Sequence, residues 1–174
     1  MPGSDLRIDP AEDADRPAIW GILEPVIREG ETYPLPRDWA EDEALAYWFS
    51  ALHAVFVARA AGRVVGTYYL RENQSGGGDH VANAGYVTGP AARGRGVATA
   101  MCRHSLAEAS RHGFTAMQFN FVIASNQAAV ALWTGLGFTT IGRLPAVFRH
   151  PRLGATDALV MHRFLEANAT PGRT

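Results

Sequence analysis

The stretch GPAARGRGVATAMCRH, Gly89 to His104, constrains the fold of this chain more than any other. It sets Gly94 and Gly96 beside Arg93 and Arg95, where a strand pattern ends and a helical pattern begins. A helix leaves its first backbone N–H groups without intrahelical partners, and its dipole puts partial positive charge at the same end. Bare backbone and guanidinium groups at that point read as an anion cradle, the glycines letting a diphosphate come close. Arginines alone would be solvated surface charges; the two glycines and the following helix favour the cradle. The familiar phosphate loops do not fit. A dinucleotide fingerprint needs a third small residue where Thr99 stands and an acidic strand end about 20 residues on. A nucleotide P-loop needs a lysine, and the stretch has none.

With 174 residues, 47% of them hydrophobic, the chain is long enough for one compact domain over 1–174, with a core from about residue 6 to 165 and a frayed tail from 166 to 174. A formal charge of -1 gives no general pull toward nucleic acid or an anionic membrane, so the arginines act locally. One cysteine, Cys102, excludes an internal disulfide, and no terminal run reads as a signal or membrane span, which makes a cytoplasmic location the expectation. The six histidines fall into no metal-ligand spacing with each other or with Cys102, so no metal is expected.

Along the chain, LRID (Leu6 to Asp9) is a short strand, and Ile19, Ile22, Leu23, Val26 and Ile27 recur at helical spacing in a helix that Pro25 should kink or split. The two prolines of ETYPLP, Glu31 to Pro36, make a loop, and AEDEALAYWFSAL gives a second helix. VFVAR and VVGTYYL form a hairpin, NQSGGGD is the most flexible-looking stretch, and HVANAGYVT is the next strand. Then strand and helix alternate. A helix from about Gly96, a strand AMQFNFVI and a helix NQAAVALWTGLGF, closed by Gly137, precede strands TTIGRL and ALVMHRFL, which a loop over 145–157 divides. The pattern is mixed α/β.

VTGPAARGRGVATAM resembles the R-x-x-G-x-G/A motif of the GNAT acetyltransferase superfamily, and NQAAVALWTGLGF resembles its second motif, N-x-x-A-x-x-L-Y-x-x-L-G-F. The two in order, separated by a strand, are specific, and the resemblance runs from about Leu6 to Leu165. It implies a single-domain GNAT fold, with a mixed, mostly antiparallel sheet of about six to seven strands flanked by four helices. It also implies acetyl-CoA as donor. The implied cofactor contacts are the backbone amides of Arg93, Gly94, Arg95, Gly96, Val97 and Ala98 for the pyrophosphate, with Val87, Thr88, Asn126 and Trp133 along the pantetheine arm, which would lie between the strand ending at Val87 and the strand at Phe119. ETYP, HVANAGYV and FNFVIASN are similar to segments of the fungal-type enzymes that acetylate azetidine-2-carboxylate and related proline-like imino acids. That narrower resemblance implies a role in detoxifying amino-acid analogues, and substrate contacts at Asn83, Asn120 and Asn126, with Tyr86 as an aromatic wall.

Acyl transfer from a thioester to an amine needs a neutral nitrogen, a fixed attack geometry and donors aimed at the developing oxyanion. The backbone around Val87 and Thr88 is the expected oxyanion donor. Asn83 and Asn120, uncharged and inside strands where asparagine is disfavoured, can each give two donors and an acceptor to hold a carboxylate and orient an amine. Asn126 fits a helix N-cap as well as it fits a cofactor contact. Trp133 stands where the superfamily commonly has a tyrosine that protonates the leaving thiolate, and an indole N–H is no acid at neutral pH. Glu31 is the first choice of general base, ahead of Asp79 and His80. Three functions stay open: acetylation of a small amino or imino acid, acetylation of protein lysines or N-termini, and non-catalytic acyl-CoA sensing. A small-molecule amine as partner fits the first, and a homodimer is compatible with any of them.

Overall fold

The structure, a computed structural model, describes residues 6–166. In chain order it comprises β1 (Arg7–Pro10), α1 (Arg16–Glu29), α2 (Glu41–Trp48), β2 (Ala54–Ala60), β3 (Arg63–Glu72), β4 (Val81–Thr88), α3 (Val97–Arg111), β5 (Ala116–Ile123), α4 (Gln127–Gly135), β6 (Thr139–His150) and β7 (Gly154–Phe164). The strands form one mixed sheet ordered β1-β2-β3-β4-β5-β7-β6, parallel only between β4 and β5. All but the first residue of the tail expected to fray lies outside the described residues.

Period-two alternation divides the strand side chains between two apolar layers. Tyr68, Leu70, Ala84, Met117 and Phe119 pack with Met101 and Cys102 of α3 and Trp133 of α4. Val57, Tyr69 and Val87 pack on the other face with Ile19, Leu23 and Ile27 of α1 and Trp48 of α2. The five apolar residues read at helical spacing in α1 are all buried. Pro25 does not split this helix, which runs unbroken to Gly30, a left-handed cap at φ 65°. The residue four before Pro25, whose carbonyl its ring would crowd, is Gly21, and α1 is tied down by its buried face.

Two features position the site. The β4–β5 ladder has only two register pairs, Val81 with Ala116 and Ala82 with Met117, and beyond them the strands part. The second feature corrects the loop expected over 145–157. β6 continues to His150, and only 151–153 turn. Pro145 is tolerated because β6 is an edge strand and the register shifts between Leu144 and Phe148. Within that bulge Ala146 takes φ 51°, and its N–H donates to Asp157 Oδ1 of β7 at 2.9 Å.

Candidate active site

Where β4 and β5 part, a cleft of about 690 Å³ passes through the sheet. Tyr33, Tyr47, Tyr69 and Arg71 line it on the α1–α2 face, and Asn126, Ala129 and Trp133 on the α3–α4 face. Hydrogen-bond alternation fixes which β4 backbone groups face the gap. Asn73 N donates to Val81 O and Gly89 N to Val65 O, each at 2.8 Å, and the β3–β4 register is regular between them. The hydrogen-bonded pairs are therefore Asn83 with Arg71, Gly85 with Tyr69 and Val87 with Thr67. The N–H groups of Ala84, Tyr86 and Thr88 point into the gap. This corrects the oxyanion expectation at Val87, whose N–H belongs to the β3 ladder and whose side chain is 5% exposed in the α1 core.

The cradle lies at the start of α3. Gly94 and Gly96 have φ 74° and 79°, the left-handed region that favours glycine, and a Cβ at either would meet open space. Their conformation is therefore a backbone requirement rather than a packing one. Among the described residues, the N–H groups of Gly94, Gly96, Val97 and Ala98 have no protein partner. Those of Arg93 and Arg95 close long turns of 3.4 Å onto Pro90 and Ala92, which corrects the expectation that their amides are free; these two residues offer side chains instead. Arg93 Nη2 lies 3.8 Å from Glu29 and lines the cleft, while Arg95 is exposed. Unpaired N–H groups from four residues around a helix N-terminus fit a diphosphate, and the split sheet leads from them to the cleft's far face.

Asn83 and Asn120 lie on the same sheet face but engage protein first. Asn83 Nδ2 donates to Gln118 O at 2.8 Å, spanning the two strands just past their last register pair. One N–H of that nitrogen is committed to the strand, which leaves Asn83 its second N–H and Oδ1 for the cleft. Asn120 Nδ2 donates to Asn73 Oδ1 at 2.6 Å, and Asn120 Oδ1 accepts from Gln118 Nε2 at 2.9 Å. Tyr86 borders the cleft, but its hydroxyl lies 2.6 Å from Ser105 Oγ in the α3 layer and burial pushes its pKa well up. It is a wall without a functional hydroxyl. Trp133 is 9% exposed, with ring centroids 5.0 Å from Tyr86 and 5.1 Å from Phe119, so it packs the cleft floor. Asn126 caps α4 by accepting from Ala129 N at 3.2 Å and borders the cleft as well.

Glu31 also borders the cleft, but its carboxylate is held at two points by Arg152, 2.8 Å from Nε and 2.9 Å from Nη2. His150, 3.9 Å from the same carboxylate, uses Nδ1 to accept from the Arg152 and Leu153 N–H groups, each at 3.2 Å, so Nε2 bears the proton and faces Glu31. The expected general base is thus a latch between the loop after α1 and the β6–β7 tip. Asp79 and His80 do not line the cleft. Among the described residues no three His, Cys, Asp or Glu side chains could hold a metal together.

Sequence reasoning missed Tyr33, Arg71 and Asn73. Tyr33 donates to the Tyr86 carbonyl at 3.2 Å across the cleft wall. Gly85 makes room for it: a Cβ there would lie 2.8 Å from the Tyr33 hydroxyl and 2.7 Å from the Tyr69 ring. The glycine inside HVANAGYVT was the available signal. Arg71 and Asn73 stand two apart in YYLREN, the spacing of one strand face, but Asn73 also opens the flexible-looking NQSGGGD stretch, which masks that pattern.

The comparisons agree with this geometry. The model of the acetyltransferase (GNAT) family matches residues 18–138. The chain is 28% identical over 132 residues to N-acetyltransferase aca1 of Schizosaccharomyces pombe, a match covering 67% of this chain and 63% of that protein's length. It is similar to a GCN5-related N-acetyltransferase from Kribbella flavida, at 40% identity and TM-score 0.88, covering 92% of this chain and 98% of the other. The same fold, at 24% identity and TM-score 0.81, is seen in the acetyltransferase yncA from Salmonella typhimurium solved with acetyl-CoA, covering 98% of this chain and 100% of the other. With its split β4–β5 pair and its glycine cradle at the head of α3, this chain belongs to the GNAT acetyltransferase family.

Proposed function

We propose that this enzyme transfers acetyl from acetyl-CoA directly to the amine of a small amino or imino acid, with a proline-like cyclic acid as the preferred acceptor. The observation that carries the small-acceptor reading is the Glu31–Arg152 latch, which ties the loop after α1 to the β6–β7 turn beside the acceptor side of the cleft, where a peptide substrate would need an open groove. The resemblance of ETYP, HVANAGYV and FNFVIASN to the imino-acid enzymes supports the cyclic acceptor. A cytoplasmic location, clearance of toxic amino-acid analogues, action as a single domain and assembly as a homodimer belong to the same proposal.

Acetyl-CoA supplies the activated thioester. Gly94, Gly96, Val97 and Ala98 hold its pyrophosphate through backbone N–H groups, with Arg93 and Arg95 adding positive potential. Thr88, Asn126 and Trp133 border its pantetheine arm. The acceptor amine approaches from the α1–α2 face, where Asn83 Oδ1 can accept its N–H and orient the lone pair. As the C–N bond forms, the carbonyl oxygen gains charge and is met by β4 N–H groups facing the gap, from among Ala84, Tyr86 and Thr88. Collapse expels the thiolate, which takes its proton from water, since Trp133 has none to give. The amine's own proton also leaves to water, Glu31 being engaged by Arg152.

The test is turnover of acetyl-CoA with a panel of imino acids, amino acids, their amides, and peptides with free lysines or N-termini. Cyclic imino acids should give the highest kcat/KM and peptides at least about a hundredfold less, the scale set by discrimination at a hydrogen-bonding site. Preferred turnover of peptides would overturn the small-acceptor reading, and binding of acetyl-CoA without any turnover would make the protein a sensor.

A further inference from the structure

Of the two arginines that line the cleft, Arg93 lies 3.8 Å from Glu29, whereas Arg71 has no carboxylate within ion-pair reach among the described residues. Arg71 is half-buried, its Nε donating to the Glu72 carbonyl at 3.0 Å, which leaves both terminal nitrogens of the fork uncommitted. Strand alternation puts Tyr69, Arg71 and Asn73 on the acceptor face and turns Leu70 and Glu72 the other way. The register sets Arg71 directly opposite Asn83.

Asn73 is the end of a chain of amides whose polarity runs one way. Gln118 donates to Asn120 Oδ1, and Asn120 donates to Asn73 Oδ1. With Oδ1 already engaged by Asn120, the group Asn73 leaves wholly uncommitted is Nδ2, with two donors, on the cleft wall that Arg71 also lines. A half-buried cation and an amide nitrogen with two uncommitted donors on one wall match a ligand group with two acceptor oxygens and a negative charge. A lysine side chain arriving there would meet like charge.

We infer that Arg71 and Asn73 are the seat of the acceptor's carboxylate, with Gln118 and Asn120 as positioning residues that fix the polarity of Asn73. The inference rests on the reading of the acceptor as a small amino or imino acid and makes it an α-acid: nitrogen at Asn83, carboxylate one strand over at Arg71. It moves the carboxylate role away from Asn83 and Asn120.

The experiment compares L-azetidine-2-carboxylate with its amide, at saturating acetyl-CoA, for the parent enzyme and for Arg71→Gln, Arg71→Lys and Asn73→Ala. Arg71→Gln should lower kcat/KM for the acid at least about tenfold, mostly through KM, as expected for loss of a charge-assisted pair. The amide should change less than about twofold, acetyl-CoA affinity should hold, and Arg71→Lys should restore part of the acid's rate. Asn73→Ala should show the same acid-selective loss at smaller size. Equal losses for acid and amide, or an acid preference that survives Arg71→Gln, would overturn the seat while leaving the small-acid acceptor in place. A parent enzyme that acetylates no amino or imino acid would remove that reading, and the seat with it.

Discussion

Asn83 ties β4 to β5 through Gln118 O at the last point where the two strands can be tied, and everything past it is cleft. Asn83→Ala removes a neutral hydrogen bond of about 0.5–1.5 kcal/mol and leaves the Gln118 carbonyl without its donor at the throat. Because the strut sets the width of the opening, acetyl-CoA affinity and acceptor kcat/KM should fall together, with a modest drop in thermal stability. Calorimetry showing full acetyl-CoA affinity beside a loss confined to the acceptor would return Asn83 to a purely substrate-holding role. Asparagine inside two strands was a legible anomaly, and both side chains line the cleft. The partner of each amide was not legible, since Gln118 and Asn73 lie 35 and 47 residues away from the side chains they meet.

Among the elements, β6 and β7 departed furthest from expectation. The prolines and glycine of PAVFRHPRLGATD read as loop, yet pairing with β7 holds β6 extended on both sides of its bulge. Asp157 pins that bulge. The Ala146 N–H, and after it the Arg143 guanidinium 2.5 Å away, hold its carboxyl below the usual carboxylate range. A depressed folded pKa adds stability that is complete above the unfolded value, about 3.9, and is lost as pH falls through the folded one. The melting temperature of Asp157→Asn should therefore lie below the parent's by a constant gap from about pH 7 to pH 5, and the gap should close below about pH 4. A gap that stayed constant to about pH 2 would mean that the carboxylate's charge plays no part. The helices needed less from the rest of the molecule: α1, α3 and α4 follow apolar spacing and end signals that lie within their own sequence, as at Gly30 and Gly137, both left-handed.

At the scale of the whole molecule, the latch joins residues 121 apart and ties the cleft-lining loop that carries Glu31 and Tyr33 to the β6–β7 turn. Glu31→Gln and Arg152→Ala should each raise acceptor KM several-fold, and the double variant should be little worse than either, because both break one contact. The shape of the kcat–pH profile should survive in all three. A Glu31→Gln enzyme with a collapsed kcat and a missing acidic limb, beside a healthy Arg152→Ala, would make Glu31 the general base after all. The sequence by itself determined the family motifs, the order of strands and helices and the glycine cradle, because each depends on neighbours a few residues apart: hydrophobic period, caps and left-handed turns. Which polar side chains stay uncommitted at the cleft depended instead on the assembled sheet. That choice is a competition among partners brought together by the sheet: Gln118 takes one N–H of Asn83, Arg152 takes Glu31 and Ser105 takes the Tyr86 hydroxyl, while Arg71 faces the cleft with no carboxylate in reach among the described residues.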